Sequence, residues 1–346
     1  MTSPYEYTKD QLSELLAGEP RYRVDQVWHG LWNEANAIDE ITTIPKALRA
    51  RLGAIFTPSL VVANDVQSDH GSTRKWVFRL GDGATIETVL MSYEDRVTVC
   101  VSSQAGCAMG CTFCATGQAG FTRQLSTGEV LEQVMFAARA AAPRRLSNVV
   151  FMGMGEPLAN YKVTVDAVRR LHDYRGLSAR HLTVSTVGVA PAIERLAREG
   201  LPLTLAVSLH AANNDTRNEL VPLNRRYPLE RLHEACVTWI ATTSRRLSFE
   251  WALIDGVNDT DQALDELADY ADSLRAHVNL IPLNPTPGYL VRGSSSERVR
   301  AFRDGLEARG INVTVRHTRG RSIDAACGQL ASVTNAKRRL LPVRSG

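Results

Sequence analysis

The sequence has 346 residues, 44% of them hydrophobic, and a formal net charge of +3. This length suits one large domain with an appendage rather than two equal domains. No run approaches the roughly 18 uncharged apolar residues of a membrane span, and residues 1–6 lack the apolar run of a signal peptide. We therefore expect a cytoplasmic protein without a membrane partner, whose six cysteines serve metal binding or catalysis rather than stable disulfides.

The C-terminal end of the chain is basic. Residues 316–346 contain seven Arg or Lys residues and one acidic residue, Asp324. A basic end can bind nucleic acid, but it can equally be a solvated tail. Charge alone leaves both interpretations open.

The first part of the chain has the pattern of helices. Between residues 7 and 56, apolar residues such as Leu12, Leu15 and Leu16 recur at three- and four-residue spacings. Strand-like runs follow at 75–80 and 85–90, separated by a Gly-Asp-Gly turn. We expect a helical accessory domain at 1–56 and a β extension at 57–95.

A regular alternation of strands and helices begins after residue 95. Apolar strand candidates lie at 97–101, 148–152, 181–185, 203–208, 247–253, 278–282 and 313–316. Helical patterns lie between them at about 126–142, 160–173, 189–199, 228–243, 260–275 and 296–309. Such alternation predicts parallel strands with right-handed crossovers. The expected fold class is α/β, a partial (β/α)6 barrel over 96–320 followed by a C-terminal segment at 321–346. Its chemistry should collect at the C-terminal strand ends.

A C-x3-C-x2-C run at Cys107, Cys111 and Cys114 follows the first core strand. Three thiolates on one tight loop can bind three irons of a cubane cluster and leave the fourth iron open to a ligand. The alternative is a structural zinc site, which needs four ligands and for which Cys100 would be the fourth.

The cysteine run, at the end of the first strand of a strand–helix repeat, resembles the radical S-adenosylmethionine (SAM) superfamily. Phe113, before the third cysteine, fits the aromatic residue usual there. The resemblance implies a [4Fe–4S] cluster on Cys107, Cys111 and Cys114. It also implies that SAM chelates the open iron and is cleaved to a 5′-deoxyadenosyl radical.

Four further strand-end loops carry polar groups. Each alone is typical of a turn or cap, although a glycine turn followed by Glu156 can bind an amino group. In register with the cysteine loop, they resemble SAM-binding loops of the superfamily. The residues that the resemblance assigns to SAM are Gly155, Glu156, Ser185, Ser208, Leu209, His210 and Asn284.

Four segments together resemble the RlmN/Cfr family of radical SAM RNA methyltransferases, namely 99–107, 114–117, 151–157 and 323–330. The resemblance implies that one SAM methylates Cys327 and that a second SAM supplies the radical that activates this methyl group. The resulting methylene radical would then add to an adenine ring carbon. Glu87 would accept a proton, and Cys100 would attack Cys327, releasing methylated RNA and leaving a transient disulfide.

The implied substrate is carbon 2 of an adenine in 23S rRNA and in tRNA beside the anticodon, with a reductant such as flavodoxin or ferredoxin. Ala105 and Pro157 resemble this carbon-2 type, whereas the antibiotic-resistance type methylates carbon 8. Judged without the family, Glu87 would be a strand residue facing water. Cys236 is expected in the core.

Two further alternatives remain. One is a zinc-stabilised RNA-binding module without catalysis, and the other is a radical SAM enzyme acting on a peptide or natural product. For either RNA function, phosphate contacts are expected at Arg144-Arg145, Arg225-Arg226 and the basic tail.

Overall fold

The computed structural model describes residues 2–286, 289, 291–316 and 319–330. Most of the basic tail expected to contact phosphate therefore lies outside the described residues. In the described part of the chain, no helix is both long enough and apolar enough to cross a lipid bilayer.

The chain begins with three helices, α1 (Lys9–Leu15), α2 (Arg21–Trp32) and α3 (Lys46–Ile55). Thr8 starts α1 with a capping box, accepting from the Gln11 amide while the Gln11 side chain accepts from the Thr8 amide. Trp32 is fully buried and its ring meets Tyr174 edge-on at 5.1 Å. This contact packs the N-terminal helices onto the rest of the protein.

Three strands follow, β1 (Val61–Ser68), β2 (Thr73–Arg79) and β3 (Thr85–Ser92), in an antiparallel meander. The next strand, β4 (Val97–Cys100), pairs antiparallel with β3, so that Val89 lies opposite Cys100. The meander is therefore continuous with the sheet that carries the cysteines.

The remaining chain alternates strands and helices. The elements are β5 (Gln104–Gly106), α4 (Ala115–Ala119), β6 (Phe121–Gln124), α5 (Thr127–Ala141), β7 (Asn148–Phe151), α6 (Tyr161–Asp173), β8 (Leu182–Thr186), α7 (Ala190–Ala197), β9 (Thr204–Ser208), α8 (Asn214–Leu220), α9 (Leu229–Thr243), β10 (Ser248–Leu253), α10 (Asp261–Ser273), β11 (His277–Pro282), α11 (Ser296–Ala308) and β12 (Val313–Val315).

The main sheet has the order β1-β2-β3-β4-β7-β8-β9-β10-β11-β12. All pairs from β4 to β12 are parallel, and a helix lies in each of the six connections. Residues of β3 and β4 line the same cavity as residues of β12, so the sheet curls and its distant strands approach one another. This confirms the α/β partial (β/α)6 barrel. The short β5–β6 hairpin and helices α4 and α8 were not predicted.

Candidate active site

A cavity lies where the parallel strands end, and we call it the strand-end cavity. Nearly all of the residues predicted to bind a cluster or SAM line it: Cys107, Cys111, Cys114, Gly155, Glu156, Ser185, Ser208, His210 and Asn284. Leu209 is fully buried beside it, and its carbonyl accepts a hydrogen bond from Arg217. The candidate cluster and SAM residues therefore lie together at the ends of the parallel strands, as expected from the sequence.

Glycines shape the cysteine loop. Gly106 has φ +79°, and a Cβ there would lie 2.0 Å from the carbonyl oxygen of Gly120. A Cβ on Gly117 would lie 2.9 Å from the carbonyl oxygen of Cys111. Both positions therefore require glycine for the loop to close tightly.

Burial raises the pKa of Cys107 to about 12 and raises the pKa of Cys111 well above its ordinary value, with smaller contributions from the neighbouring thiols. Both are therefore protonated thiols at neutral pH unless metal coordination removes the proton.

The donor set fits a cubane cluster better than a zinc ion. Cys107, Cys111 and Cys114 line this one cavity together. Three thiolates suit a cubane that leaves its fourth iron open to a ligand, whereas a structural zinc ion takes four protein ligands. Cys100 does not complete the set, because it lines a different cavity.

Glu156 is buried with both carboxylate oxygens engaged. Oε1 accepts from the Leu158 amide at 2.9 Å and Oε2 from the Val187 amide at 2.8 Å. The preceding Gly155 has φ +101°, and a Cβ there would lie 2.6 Å from Cβ of Gln104. Burial raises the pKa of Glu156 to about 7, although these hydrogen bonds oppose the increase. The carboxylate is thus held rigidly, facing a site that suits an amino group.

This pKa predicts a pH-dependent affinity for SAM. Only the ionised carboxylate accepts freely from an amino group, so affinity should fall as pH drops below about 7, approaching about tenfold per unit. Equilibrium dialysis of SAM with reconstituted protein between pH 6 and 8 measures it. Glu156→Gln should bind more weakly, with a flatter pH profile. An equally steep profile in the variant would assign the dependence to another group.

His210 is held as a neutral donor. Its Nδ1 accepts from the Ala252 amide at 3.0 Å, and its carbonyl accepts from Nδ2 of Asn258 at 2.7 Å. Burial, followed by the charge of Arg217, lowers the pKa of His210 to about 3. The ring proton therefore resides on Nε2, which can donate to a ligand in the cavity.

Two buried oxygens of the strand-end cavity, Oδ1 of Asn284 and Oε2 of Glu250, have no hydrogen-bond partner among the described residues. Such atoms are costly to bury unless a ligand supplies donors, and the amino and hydroxyl groups of SAM are suitable donors. Glu250 was not predicted as a site residue. An acidic residue within the apolar run 247–253 was the signal for it.

Arg217 was also not predicted from the sequence as a site residue. It positions two of the strand-end loops. The whole residue is only 1% exposed. It donates to the carbonyl of Leu209 at 3.0 Å, to the carbonyl of Val187 at 2.7 Å and to Oδ1 of Asn224 at 2.8 Å. Its polar helical context, in α8, resembles that of a surface residue, so the sequence carries no signal of this role.

Replacing Arg217 with methionine should leave buried carbonyls without donors. At about 1–3 kcal/mol for each missing donor, we expect unfolding to become easier by about 3 kcal/mol or more. Urea denaturation measures this, with the exposed Arg309→Met as the matched control. Equal midpoints for the two variants would contradict the positioning role.

Cys327 and Cys100 meet at a second cavity, which we call the lateral cavity. Cys327 lines both cavities, and its segment packs on the cysteine loop because the Ala115 amide donates to the Gly328 carbonyl at 2.8 Å. Cys327 is exposed, yet the surrounding protein raises the pKa of its thiol, against the opposing charge of Arg316. Cys100 lines the lateral cavity, and burial, then the neighbouring Cys327, raises its pKa to about 12.

Glu87 is fully buried on β3, so the water-facing position expected from its sequence context is wrong. Its Oε2 lies 3.2 Å from Nζ of Lys75, a largely buried side chain. That Nζ also donates to the carbonyl of Asp324 at 3.1 Å. Glu87 is not among the described residues that line the two cavities, but this link ties it to the segment that carries Cys327.

A partial barrel whose first parallel strand leads into this cysteine loop defines a radical SAM enzyme, and residues 101–272 match the sequence model of the radical SAM superfamily. A probable dual-specificity RNA methyltransferase RlmN from Frankia casuarinae is 54% identical, covering 91% of this chain and 78% of that protein. Another from Chloroflexus aurantiacus is 50% identical, covering 94% and 92%. The chain therefore belongs to the RlmN family.

A solved structure agrees with this assignment. The crystal structure of a radical SAM methyltransferase from Sphaerobacter thermophilus has a TM-score of 0.92 and 51% identity, covering 95% of this chain and 99% of that one. The likeness extends beyond the barrel to nearly the whole chain.

Proposed function

We propose that this protein methylates carbon 2 of an adenine in 23S rRNA and in tRNA, using Cys327 as the methyl carrier. The observation that carries the proposal is the position of Cys327 in the wall between two cavities. One cavity contains the cysteine loop and Glu156, and the other contains Cys100. Relatives named dual-specificity RNA methyltransferases support RNA as the substrate.

The residues present fit the cofactors of such a reaction. Cys107, Cys111 and Cys114 would hold a [4Fe–4S] cluster, and Glu156 with Asn284 would hold SAM. When bound, these groups supply a methyl group from one SAM and a carbon-centred radical from a second, with electrons from a donor such as flavodoxin or ferredoxin. We expect the reaction to take place in the cytoplasm.

The chain's own groups have distinct roles. Cys327 accepts the methyl group and presents it to the adenine. After the methylene group has added to the ring, the adduct must give up one electron to the redox partner that supplied the reducing electron, and Glu87 accepts the proton lost from the adenine carbon. The Cys100 thiolate then attacks the sulfur of Cys327, the bond from that sulfur to the methylene carbon breaks, and this carbon takes up a proton to become the methyl group. The two cysteines are left as a transient disulfide that a reducing cytosol can reverse.

Carbon 2 is favoured over carbon 8 by Ala105 and Pro157, which resemble the carbon-2 type. Ala105 is buried in β5, the strand directly before Cys107, and Pro157 lines the strand-end cavity. Ala105 therefore borders the cysteine loop, and Pro157 borders the cavity that this loop lines.

The test is anaerobic turnover of reconstituted protein with SAM, a reductant and unmethylated rRNA or tRNA, followed by nucleoside mass spectrometry. Recovery of 2-methyladenosine supports the proposal, and 8-methyladenosine would move the protein to the resistance type. No methylated adenosine, with an intact cluster verified by its absorbance, would exclude these RNAs as substrates and favour a peptide or natural product. Stoichiometric zinc without iron after anaerobic reconstitution would favour the non-catalytic module.

A further inference from the structure

We propose that the lateral cavity receives the RNA nucleotide, with Arg96 and Arg319 at its mouth binding the phosphate backbone, while SAM occupies the strand-end cavity. The inference rests on the proposed function and adds where the RNA enters. Under this arrangement Cys327 carries the methyl group from one chamber to the other.

The two cavities adjoin one another and share one side. Six described residues line both: Met152, Ile281, Asn284, Arg316, Cys327 and Leu330. Cys327 is the one nucleophile in this set. A thiol in a shared wall can be reached by a methyl donor from one side and by an acceptor from the other, so the donor and acceptor need not share a chamber.

The charge balance of the two linings differs. The strand-end cavity is lined by the carboxyl groups of Glu156 and Glu250 and by Arg316, whose guanidinium pairs with Glu250 at 3.0 Å. The lateral cavity is lined by Arg96, Arg316 and Arg319, and the described lining contains no Asp or Glu. SAM carries cationic amino and sulfonium groups, whereas RNA is a polyanion. Each ligand therefore has one chamber whose charge complements it.

The size and polarity of the lateral cavity suit a nucleotide. Its volume is about 440 Å³, within the range of roughly 300–1,000 Å³ typical of ligand pockets. Thr98 and Asn148 lie side by side on paired strands and line it. The described hydrogen bonds of Asn148 use its Oδ1, which accepts from Ser147, so its amide N–H groups can donate to a base edge. Unstacked RNA bases are recognised by such edge contacts.

At the mouth of the lateral cavity, two guanidinium groups are held in place by neighbouring residues. The Arg96 and Arg319 guanidinium carbons lie 4.1 and 4.2 Å from the ring centre of Tyr93. Arg319 also donates to the Ser92 carbonyl at 2.9 Å. A guanidinium fixed in this way loses little freedom when it binds phosphate.

The mouth also reaches the protein surface. Arg96 lines the cavity although its side chain is 45% exposed. Its partner Asp95 is itself exposed, and such pairs contribute little stability, so a phosphate can displace it. Arg144, expected from sequence to contact phosphate, donates to the carbonyls of Glu94 and Arg96 beside this mouth.

The experiment compares the double variant Arg96→Ala/Arg319→Ala with wild type and with Arg303→Ala/Arg309→Ala, whose exposed arginines lie on or next to α11 and also pair with acids. Binding of an rRNA-fragment transcript to the full-length reconstituted protein is measured from 0.05 to 0.3 M salt. For the mouth variant we expect at least about tenfold weaker binding at low salt. Its salt slope should be smaller by about one for each phosphate that the variant no longer neutralises.

Kinetics provide the second measurement. The KM for RNA should rise with little change in kcat, and the methyl group on Cys327, detected by peptide mass spectrometry, should still be present because its donor occupies the other cavity. The methyl group also verifies that the variant is folded.

If the mouth and control variants bind RNA equally well while wild type methylates it, the entrance lies elsewhere and the proposed function stands. If wild type methylates no RNA, the proposed function fails and this inference fails with it.

Discussion

Replacing Cys100 with alanine is expected to leave RNA covalently attached to Cys327 and to lower the yield of free methylated RNA by at least about 100-fold, a loss typical of removing a catalytic group. In the proposed reaction the adenine is bonded through a methylene group to the sulfur of Cys327. Only attack on that sulfur releases it. Cys100 lines the same cavity as Cys327 and interacts with it electrostatically, so it is the thiol positioned for this attack.

The adduct can be identified directly. A thioether survives both denaturation and thiol reductants, so labelled RNA should remain with the protein on a reducing gel. Digestion should then leave a nucleotide on the peptide that contains Cys327. Cys327→Ala, which lacks the methyl carrier, should give neither adduct nor product.

A matched control separates this role from the general effect of removing a buried thiol. Cys236 is fully buried in α9, as its apolar helical context predicted. Cys236→Ala should turn over like wild type. Release of free methylated RNA by Cys100→Ala at the wild-type rate would remove the resolving role from Cys100.

The same variant tests the zinc alternative. Under that alternative Cys100 is a metal ligand, so its replacement should release metal. Under the proposed function it does not bind the cluster, and Cys100→Ala should contain as much iron as wild type after reconstitution.

The sequence predicted the barrel well because its strands are buried on both faces. The run at 148–152 corresponds to β7 and the run at 247–253 to β10, each lacking polar alternation and followed by an amphipathic helix. The hairpin of β5 and β6 escaped detection because a three-residue strand is too short to show a period. The seven residues of α8 are mostly polar and resemble a surface loop.

Within the site, the strand-end loops were predictable because parallel strands bring their C-terminal ends to one edge. Contacts between residues far apart in sequence were not. Lys75 and Asp324 are 249 positions apart, and nothing in either local sequence indicates that they meet. Glu87 was judged to face water because isolated strand acids usually do. The structure covers both faces of β3, whose central residues are all buried.

Replacing Glu87 with glutamine should stop the reaction at an earlier point than replacing Cys100. Glutamine keeps the size of the side chain but cannot accept the proton from the attacked carbon. We expect methylated RNA to fall by about 10²–10⁴-fold, the usual contribution of a general base. A covalent intermediate should again accumulate, because proton loss precedes release.

Isotopic labelling distinguishes the two trapped species. With deuterium on carbon 2 of the adenine, the adduct of Glu87→Gln should retain the label. The adduct of Cys100→Ala should be free of the label, because Glu87 is still present to accept that proton. Mass spectrometry of the Cys327 peptide with its attached nucleotide should show this difference as the additional mass of one deuterium. Absence of the label in both variants would mean that another group accepts the proton.

Glu87 could also stabilise the fold, because its carboxylate lies 3.2 Å from the largely buried Nζ of Lys75. This structural role must be distinguished from the role of proton acceptor. Removing one partner of a buried pair costs about 3–5 kcal/mol, since the other charge is left without compensation. Glu87→Gln and Lys75→Met should therefore each lower the denaturation midpoint, and the double variant should recover much of that stability. If Glu87 acts only through stability, the double variant should also recover turnover. If Glu87 is the base, turnover stays low in the double variant while its stability returns.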